Sequence, residues 1–317
     1  MTELNAVTKY DLDGDIAVIT RNAPPVNALA ATVREGLKLG FDKGVADPAA
    51  KAIVLVCEGR TFIAGADITE FGGASKGPGL NEVQDAMENS PKPVIAAIHG
   101  TALGGGLEVA LCAHYRVAVP SARCGLPEVN LGLLPGAGGT QRLPRIVGAQ
   151  RAMEMMTSGE HVPAPQCLAM GLVDEIVEGD LRAGGVAFAR KVLAENRPLK
   201  KVRENDAKVV ADRAHPEIFD AFRKANAKKF RGFLAPEYNI QCIEAAVNLP
   251  FDEGMAVERK LFMQLMTGPQ SAAQRYTFFA ERQVQRIPDV PADTPLRPIK
   301  KVGIIGAGTM GGGIAMT

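Results

Sequence analysis

Ala102-Leu103-Gly104-Gly105-Gly106-Leu107-Glu108 is the stretch on which the fold turns: three successive glycines run straight into the apolar residues 107–111. That pattern predicts a tight turn feeding a helix. Glycine accepts backbone conformations closed to other residues, and the first N–H groups of a helix lack an intrahelical acceptor. Bare N–H groups at a helix N-terminus can stabilise an oxyanion. A second glutamate opens another run dense in glycine and proline, Pro127-Glu128-Val129-Asn130-Leu131-Gly132-Leu133-Leu134-Pro135-Gly136-Ala137-Gly138-Gly139-Thr140. Two carboxylates brought together beside such a turn cannot both ionise freely, because like charges in a partly dry pocket raise the pKa of one of them. An acid and a base would then coexist at neutral pH.

Outward from these runs, short β-rich segments alternate with helical patterns to about residue 180. Strands are expected over residues 16–20, 52–57, 94–98, 115–119 and 173–177, and helices over 33–41, 82–89, 107–113 and 151–157. Continuously apolar strands such as Val94-Ile95-Ala96-Ala97-Ile98 imply a sheet covered on both faces, the α/β pattern. From Val186 to Arg286 the chain reads as wholly helical, with Val257, Leu261 and Leu265 on one apolar stripe. Its basic residues Lys200, Lys201, Arg203, Lys228, Lys229 and Arg231 read as a solvated face rather than a phosphate site. Four prolines between Ile287 and Pro298 mark a connector. After it, the strand-like Lys301-Val302-Gly303-Ile304-Ile305 runs into Gly306-Ala307-Gly308-Thr309-Met310-Gly311, the spacing of a dinucleotide-binding turn. A βαβ unit needs about 30 residues, so the sequence reads as the front part of a longer polypeptide.

Composition narrows the function. The 317 residues, 46% hydrophobic, can bury a sizeable core. Lys plus Arg at 36 against Asp plus Glu at 35 leaves no net field to draw nucleic acid or an anionic membrane. Five widely spaced cysteines fit reduced thiols rather than a disulfide framework, and four scattered histidines give no metal-ligand spacing. No run reaches the roughly 18 apolar residues of a membrane helix, and the N-terminus lacks the apolar core of a signal peptide. A cytoplasmic location is expected. A peroxisomal one stays open, because a C-terminal targeting signal would lie beyond Thr317.

A third segment, Thr61-Phe62-Ile63-Ala64-Gly65-Ala66-Asp67-Ile68, has small residues against which a ligand could lie, and the N–H of Ala66 could join that of Gly105 as a two-donor oxyanion hole. Taken in order, this segment, 102–108 and 127–143 together resemble the crotonase (enoyl-CoA hydratase/isomerase) family over about residues 10–190. The remainder, including Arg275-Tyr276-Thr277-Phe278-Phe279-Ala280-Glu281-Arg282, is similar to multifunctional β-oxidation enzymes that join a crotonase part to a 3-hydroxyacyl-CoA dehydrogenase.

The resemblance implies an α/β fold with a β-β-α spiral core over 1–190, a helical part over 191–260, a linker helix and Pro-rich connector over 261–296, and the start of a Rossmann domain over 297–317. It implies hydration of trans-2-enoyl-CoA, with Glu108 and Glu128 catalytic, Ala66 and Gly105 forming the oxyanion hole, and Δ3-Δ2-enoyl-CoA isomerisation as a second activity. The CoA thioester would lie along Val26, Asn27, Ala28, Leu29, Ala64, Gly65, Asp67, Ile68 and Gly104, with Gly136 lining the water pocket. Asp67 reads equally as a helix N-cap, and Gly138-Gly139 as a tight turn rather than a contact. Hydration itself needs no cofactor. NAD, held at Gly306, Gly308 and Gly311, is expected only in the full-length protein, as is any dehydrogenase activity. Another CoA-thioester reaction of the family remains the alternative. A monomer is expected, because the linker helix of the bifunctional type packs back on the hydratase part. The mobile-looking loop over residues 72–79, with four glycines, would shape the acyl pocket.

Overall fold

The structure, a computed structural model, describes residues 2–67, 70, 77–285, 287–291 and 293–317. Two compact units divide the chain, residues 1–275 and 276–317.

The first unit starts with an antiparallel meander of β1 (Thr2–Asn5), β2 (Thr8–Asp13) and β3 (Ile16–Arg21). After α1 (Ala31–Ala46), one plan repeats: a strand for a large sheet, a short strand for a second sheet, then a helix. β4 (Ala52–Cys57) leads to β5 (Ile63–Ala64) and α2 (Leu80–Glu88). β6 (Val94–Ile98) leads to β7 (Thr101–Leu103) and α3 (Gly105–Cys112). β8 (Tyr115–Ala118) leads to β9 (Arg123–Gly125) and the 3-10 helix Pro127–Leu131. Then come α4 (Gly139–Val147), α5 (Ala149–Ser158), β10 (Val162–Pro163), α6 (Ala164–Ala169) and β11 (Glu175–Ile176). The large sheet has the order β1-β2-β3-β4-β6-β8-β11 and the small one β10-β9-β7-β5. The fold is thus the mixed α/β spiral that the resemblance implies.

Every residue of β4 and β6 is buried, because the large sheet is covered on both sides. Ile53 and Leu55 enter the main core with Leu37 and Phe41 of α1. Val54 and Val56 face the other way, onto Val186, Phe188 and Val192 of α7 (Leu181–Ala194).

The stretch from 186 to 286 that reads as wholly helical is helical in the structure, divided into separate helices. After α7 come a short 3-10 turn, Val202–Glu204, and five separate helices: α8 (Ala207–Asp212), α9 (Glu217–Phe230), α10 (Ala235–Asn248), α11 (Phe251–Met266) and α12 (Pro269–Val284). Proline explains the breaks. Pro216 and Pro250 stand just before α9 and α11, while Pro236 and Pro269 lie in the first turns of α10 and α12, where a missing N–H is harmless. Among the described residues no helix is long and apolar enough to cross a membrane.

In the second unit, residues 287–308 are without regular structure wherever they are described, and α13 (Thr309–Ala315) follows. The strand expected over 301–305 does not form. Among the described residues no strand pairs with it, and a lone strand leaves its backbone groups unpaired. The glycine turn is nonetheless built. Gly306 has φ 105°, and a Cβ on Gly311 would lie 1.9 Å from the Gly306 carbonyl oxygen.

Candidate active site

The three glycines do turn the chain into a helix, two residues earlier than residue 107. Gly104, at φ 51°, is the N-cap of α3, and its N–H donates to the Gly125 carbonyl at 2.9 Å. Gly105 and Gly106 form the first turn, pressed against the small sheet. A Cβ on Gly106 would come within 2.1 Å of the Ile63 oxygen, and one on Gly105 would lie 3.6 Å from the Ala66 nitrogen. Ala66 is held there by a parallel bridge to Leu29, whose N–H donates to the Gly65 oxygen at 2.9 Å; Ala64 N–H donates to the Val26 oxygen at 3.2 Å. The N–H groups of Ala66 and Gly105 therefore sit side by side, and among the described residues neither has a protein acceptor.

Both glutamates are brought to this place, each seated against a glycine of the other's segment. A Cβ on Gly104 would lie 2.8 Å from Oε1 of Glu128, and a Cβ on Gly139 would lie 2.8 Å from Oε1 of Glu108. Glu108 is buried, and its Oε1 accepts the N–H groups of Ala137 and Gly139, both at 2.8 Å. Burial raises its pKa, while those two N–H groups and the Arg142 charge pull it back. Glu128 has less support: its own backbone N–H pulls its pKa down, but among the described residues its buried Oε2 has no hydrogen-bond partner. Burial first, then the Glu108 charge and that of Glu258, push the Glu128 carboxyl well above the usual carboxylate range. Both carboxyls are thus pushed upward, Glu108 held back by its two N–H donors and Arg142 and Glu128 raised further by the Glu108 charge.

The third carboxylate was not legible in the sequence. Glu258 of α11, 1% exposed, takes the Gly138 N–H on Oε1 at 2.7 Å and the Thr140 N–H on Oε2 at 3.1 Å, and Oε2 also accepts the Thr140 hydroxyl. Four successive N–H groups, 137 to 140, thus go alternately to Glu108 and Glu258. Gly138, at φ 89° just before α4, gives the chain the concave turn that such anion nests need. Behind it, Arg142 makes a two-pronged buried ion pair with Glu88 (3.0 and 2.8 Å), and Gln84 donates to the Ala137 oxygen at 2.7 Å. Glu258 lies one position from Val257 on the apolar stripe, so periodicity concealed it. Among the described residues no group of three His, Cys, Asp or Glu side chains is arranged to hold a metal ion.

Other expected contacts fall out as follows. Asn27, at φ 54° and 2% exposed, spends its side chain on the protein: Oδ1 accepts the Ala23 N–H, and Nδ2 donates to the Glu58 and Thr61 oxygens. It ties residues 26–29 to the segment that ends at Ala66. The Ala28 oxygen accepts the Ala30 N–H at 2.8 Å. Asp67 is partly exposed and its oxygen accepts the Glu70 N–H; Ile68 and residues 71–76 of the glycine loop lie outside the described residues. Gly136 is exposed, and a Cβ there would strike the Phe262 ring of α11 at 2.5 Å. Gly138 and Gly139 are both turn and contact. Lys200 and Arg203 are ion-paired to Asp174 and Asp252.

Spiral core, two neighbouring N–H groups without a protein acceptor among the described residues and opposed buried carboxyls come together at one place. The chain belongs to the enoyl-CoA hydratase/isomerase family, whose description matches residues 11–230. It is 40% identical over 316 residues to the peroxisomal bifunctional enzyme of Danio rerio, covering 98% of this chain and 44% of that protein. To the peroxisomal fatty acid beta-oxidation multifunctional protein AIM1 of Arabidopsis thaliana it is 36% identical over 313 residues, covering 95% and 43%. The chain thus spans less than half the length of these relatives. Among solved structures, an enoyl-CoA hydratase from Mycobacterium avium subsp. paratuberculosis shares the fold, with a TM-score of 0.59 at 22% identity over 86% of this chain and 99% of that one.

Proposed function

We propose that this chain hydrates trans-2-enoyl-CoA to 3-hydroxyacyl-CoA in fatty acid β-oxidation, and also moves a double bond from the 3 to the 2 position. The observation that carries this reading is the reciprocal seating of Glu108 and Glu128 beside the free N–H groups of Ala66 and Gly105. The thioester oxygen accepts hydrogen bonds from those two groups, so charge developing on it is met by donors already in place. A water between the carboxyls gives a proton to Glu108 as its oxygen attacks C3, and Glu128 gives its proton to C2. The isolated acid is suited to this step, since with Oε2 unpartnered and buried, Glu128 holds its proton until a carbanion-like centre is presented. In isomerisation it is Glu128 alone, in its ionised form, that takes a proton from C2 and returns it at C4.

The CoA moiety lies along residues 26–29 and 64–67, which the Val26–Ala64 and Leu29–Gly65 hydrogen bonds hold together. Hydration uses no cofactor. NAD belongs to a longer protein in which the Gly306–Gly311 turn opens a dinucleotide site, as the length of the relatives supports. The chain acts as a monomer, because its own α11 supplies Glu258 and Phe262 and its own Ser271 hydroxyl donates to the Leu131 oxygen next to the Glu128 helix. A light-scattering mass of three or six chains would reject that. Five unpaired, buried cysteines suit a reducing compartment, which a cytoplasmic or a peroxisomal setting provides. The activity is tested by adding the protein to short-, medium- and long-chain trans-2-enoyl-CoA. Loss of the enoyl-thioester absorbance is expected, and an unchanged absorbance with all three rules the hydratase out.

A further inference from the structure

Glu258 has no part in the scheme above, yet it occupies half of the nest that holds Glu108. A fully buried carboxylate is destabilising unless its surroundings compensate. Here two N–H groups and a hydroxyl do so, and Gln141 Nε2 fixes that hydroxyl by donating to it at 3.0 Å. An apolar residue at 258 would strand the Gly138 and Thr140 N–H groups at the site's edge. We propose, resting on the hydratase reading, that Glu258 is a positioning residue for the glutamate pair. It takes alternate amides of the α4 N-terminus so that Ala137 and Gly139 stay aimed at Glu108, and its negative charge favours the protonated form of Glu128.

The groups that face Glu258 come from four elements: Glu108 of α3, Glu128 of the 3-10 helix, Arg142 of α4 and the Cys242 thiol of α10. Burial, and then the Glu108 charge, push Glu258 up to about 8. As Glu258 ionises with rising pH, its added negative charge opposes ionisation of Glu128. Activity requires Glu128 protonated, so its loss on the alkaline side is delayed. The acidic side is set by protonation of Glu108, whose own donors, the Ala137 and Gly139 N–H groups, are unchanged.

The test is the pH profile of kcat for enoyl-CoA hydration in wild type, Glu258→Gln and Thr140→Val. Replacing Glu258 by Gln should move the alkaline limb down by about half a pH unit or more while the acidic limb stays in place. Thr140→Val removes the hydroxyl that favours the charged form of Glu258, so it moves the same limb in the same direction by less. It also serves if Glu258→Gln does not fold. A uniform drop in kcat with both limbs fixed would reduce Glu258 to a packing residue and overturn the proposal. Carbon-13 NMR of glutamate-labelled protein reads the same quantity without turnover: the Glu128 carboxyl, assigned with Glu128→Gln, should titrate lower in Glu258→Gln. A wild type that fails to hydrate therefore refutes the hydratase reading, and an unmoved Glu128 titration refutes this one.

Discussion

The N-termini of α3 and α4 are built from similar sequence, Gly-Gly-Gly and Gly-Ala-Gly-Gly, and are put to opposite uses. At α4 the protein fills its own nest: N–H groups 137 to 140 all go to buried glutamates. At α3 the Gly105 N–H, with that of Ala66 beside it, is left without a protein acceptor among the described residues. The filled terminus serves carboxyls that the fold itself supplies, and on the proposed reading the open one meets charge that appears only during reaction. Preorganisation of this kind costs nothing at the moment of chemistry, because its reorganisation was completed on folding.

Breaking the filled terminus from behind should have the largest effect. Arg142→Met leaves buried Glu88 with only the more distant Arg203, at 4.0 Å, as its cation, and should lose about 3–5 kcal/mol of stability on breaking the buried pair. Chemical denaturation should show the midpoint fall accordingly, and an unchanged midpoint would mean the pair does not support α4. At the open terminus, Gly105→Pro removes the donor at a helix position that tolerates proline, while Gly105→Ala adds a similar Cβ against Leu29 and keeps the N–H. Relative to Gly105→Ala, the proline variant should lose roughly 10²–10³-fold in kcat. Equal rates in the two variants would remove Gly105 from the oxyanion hole. The smallest effect is one of fit: Gly106→Ala drives a Cβ into the Ile63 oxygen at 2.1 Å, and overpacking of this sort costs about 1–3 kcal/mol, read as a lower Tm.

Much of this was legible beforehand. The central strands β3, β4, β6 and β8 are uninterrupted buried runs, and three glycine-rich segments in order carried the spiral and the pair Glu108 and Glu128. What escaped has physical reasons. The strands of the small sheet are two or three residues long, too short for period-2 alternation to register. Glu258 sits among Arg259 and Lys260 in a helix that reads as amphipathic and solvated, and only the packing of α11 over α4 turns it inward. The backbone around Asn27 reads as a CoA contact, and the three hydrogen bonds of the Asn27 side chain that shape this loop are not visible in sequence. Lys301–Ile305 had a strand's sequence without a partner, and sequence pattern cannot supply one.

The central claim is the division of labour between the two glutamates, and one set of assays addresses it directly. Glu108→Gln and Glu128→Gln, which keep size and hydrogen-bonding shape, are each measured for hydration of a trans-2-enoyl-CoA and for conversion of a 3-enoyl-CoA to the 2-enoyl isomer. Hydration should fall roughly 10²–10⁴-fold in either variant, whereas isomerisation should fall that far only in Glu128→Gln. Full hydration rates in both variants, or an isomerase that survives loss of Glu128, would contradict the account.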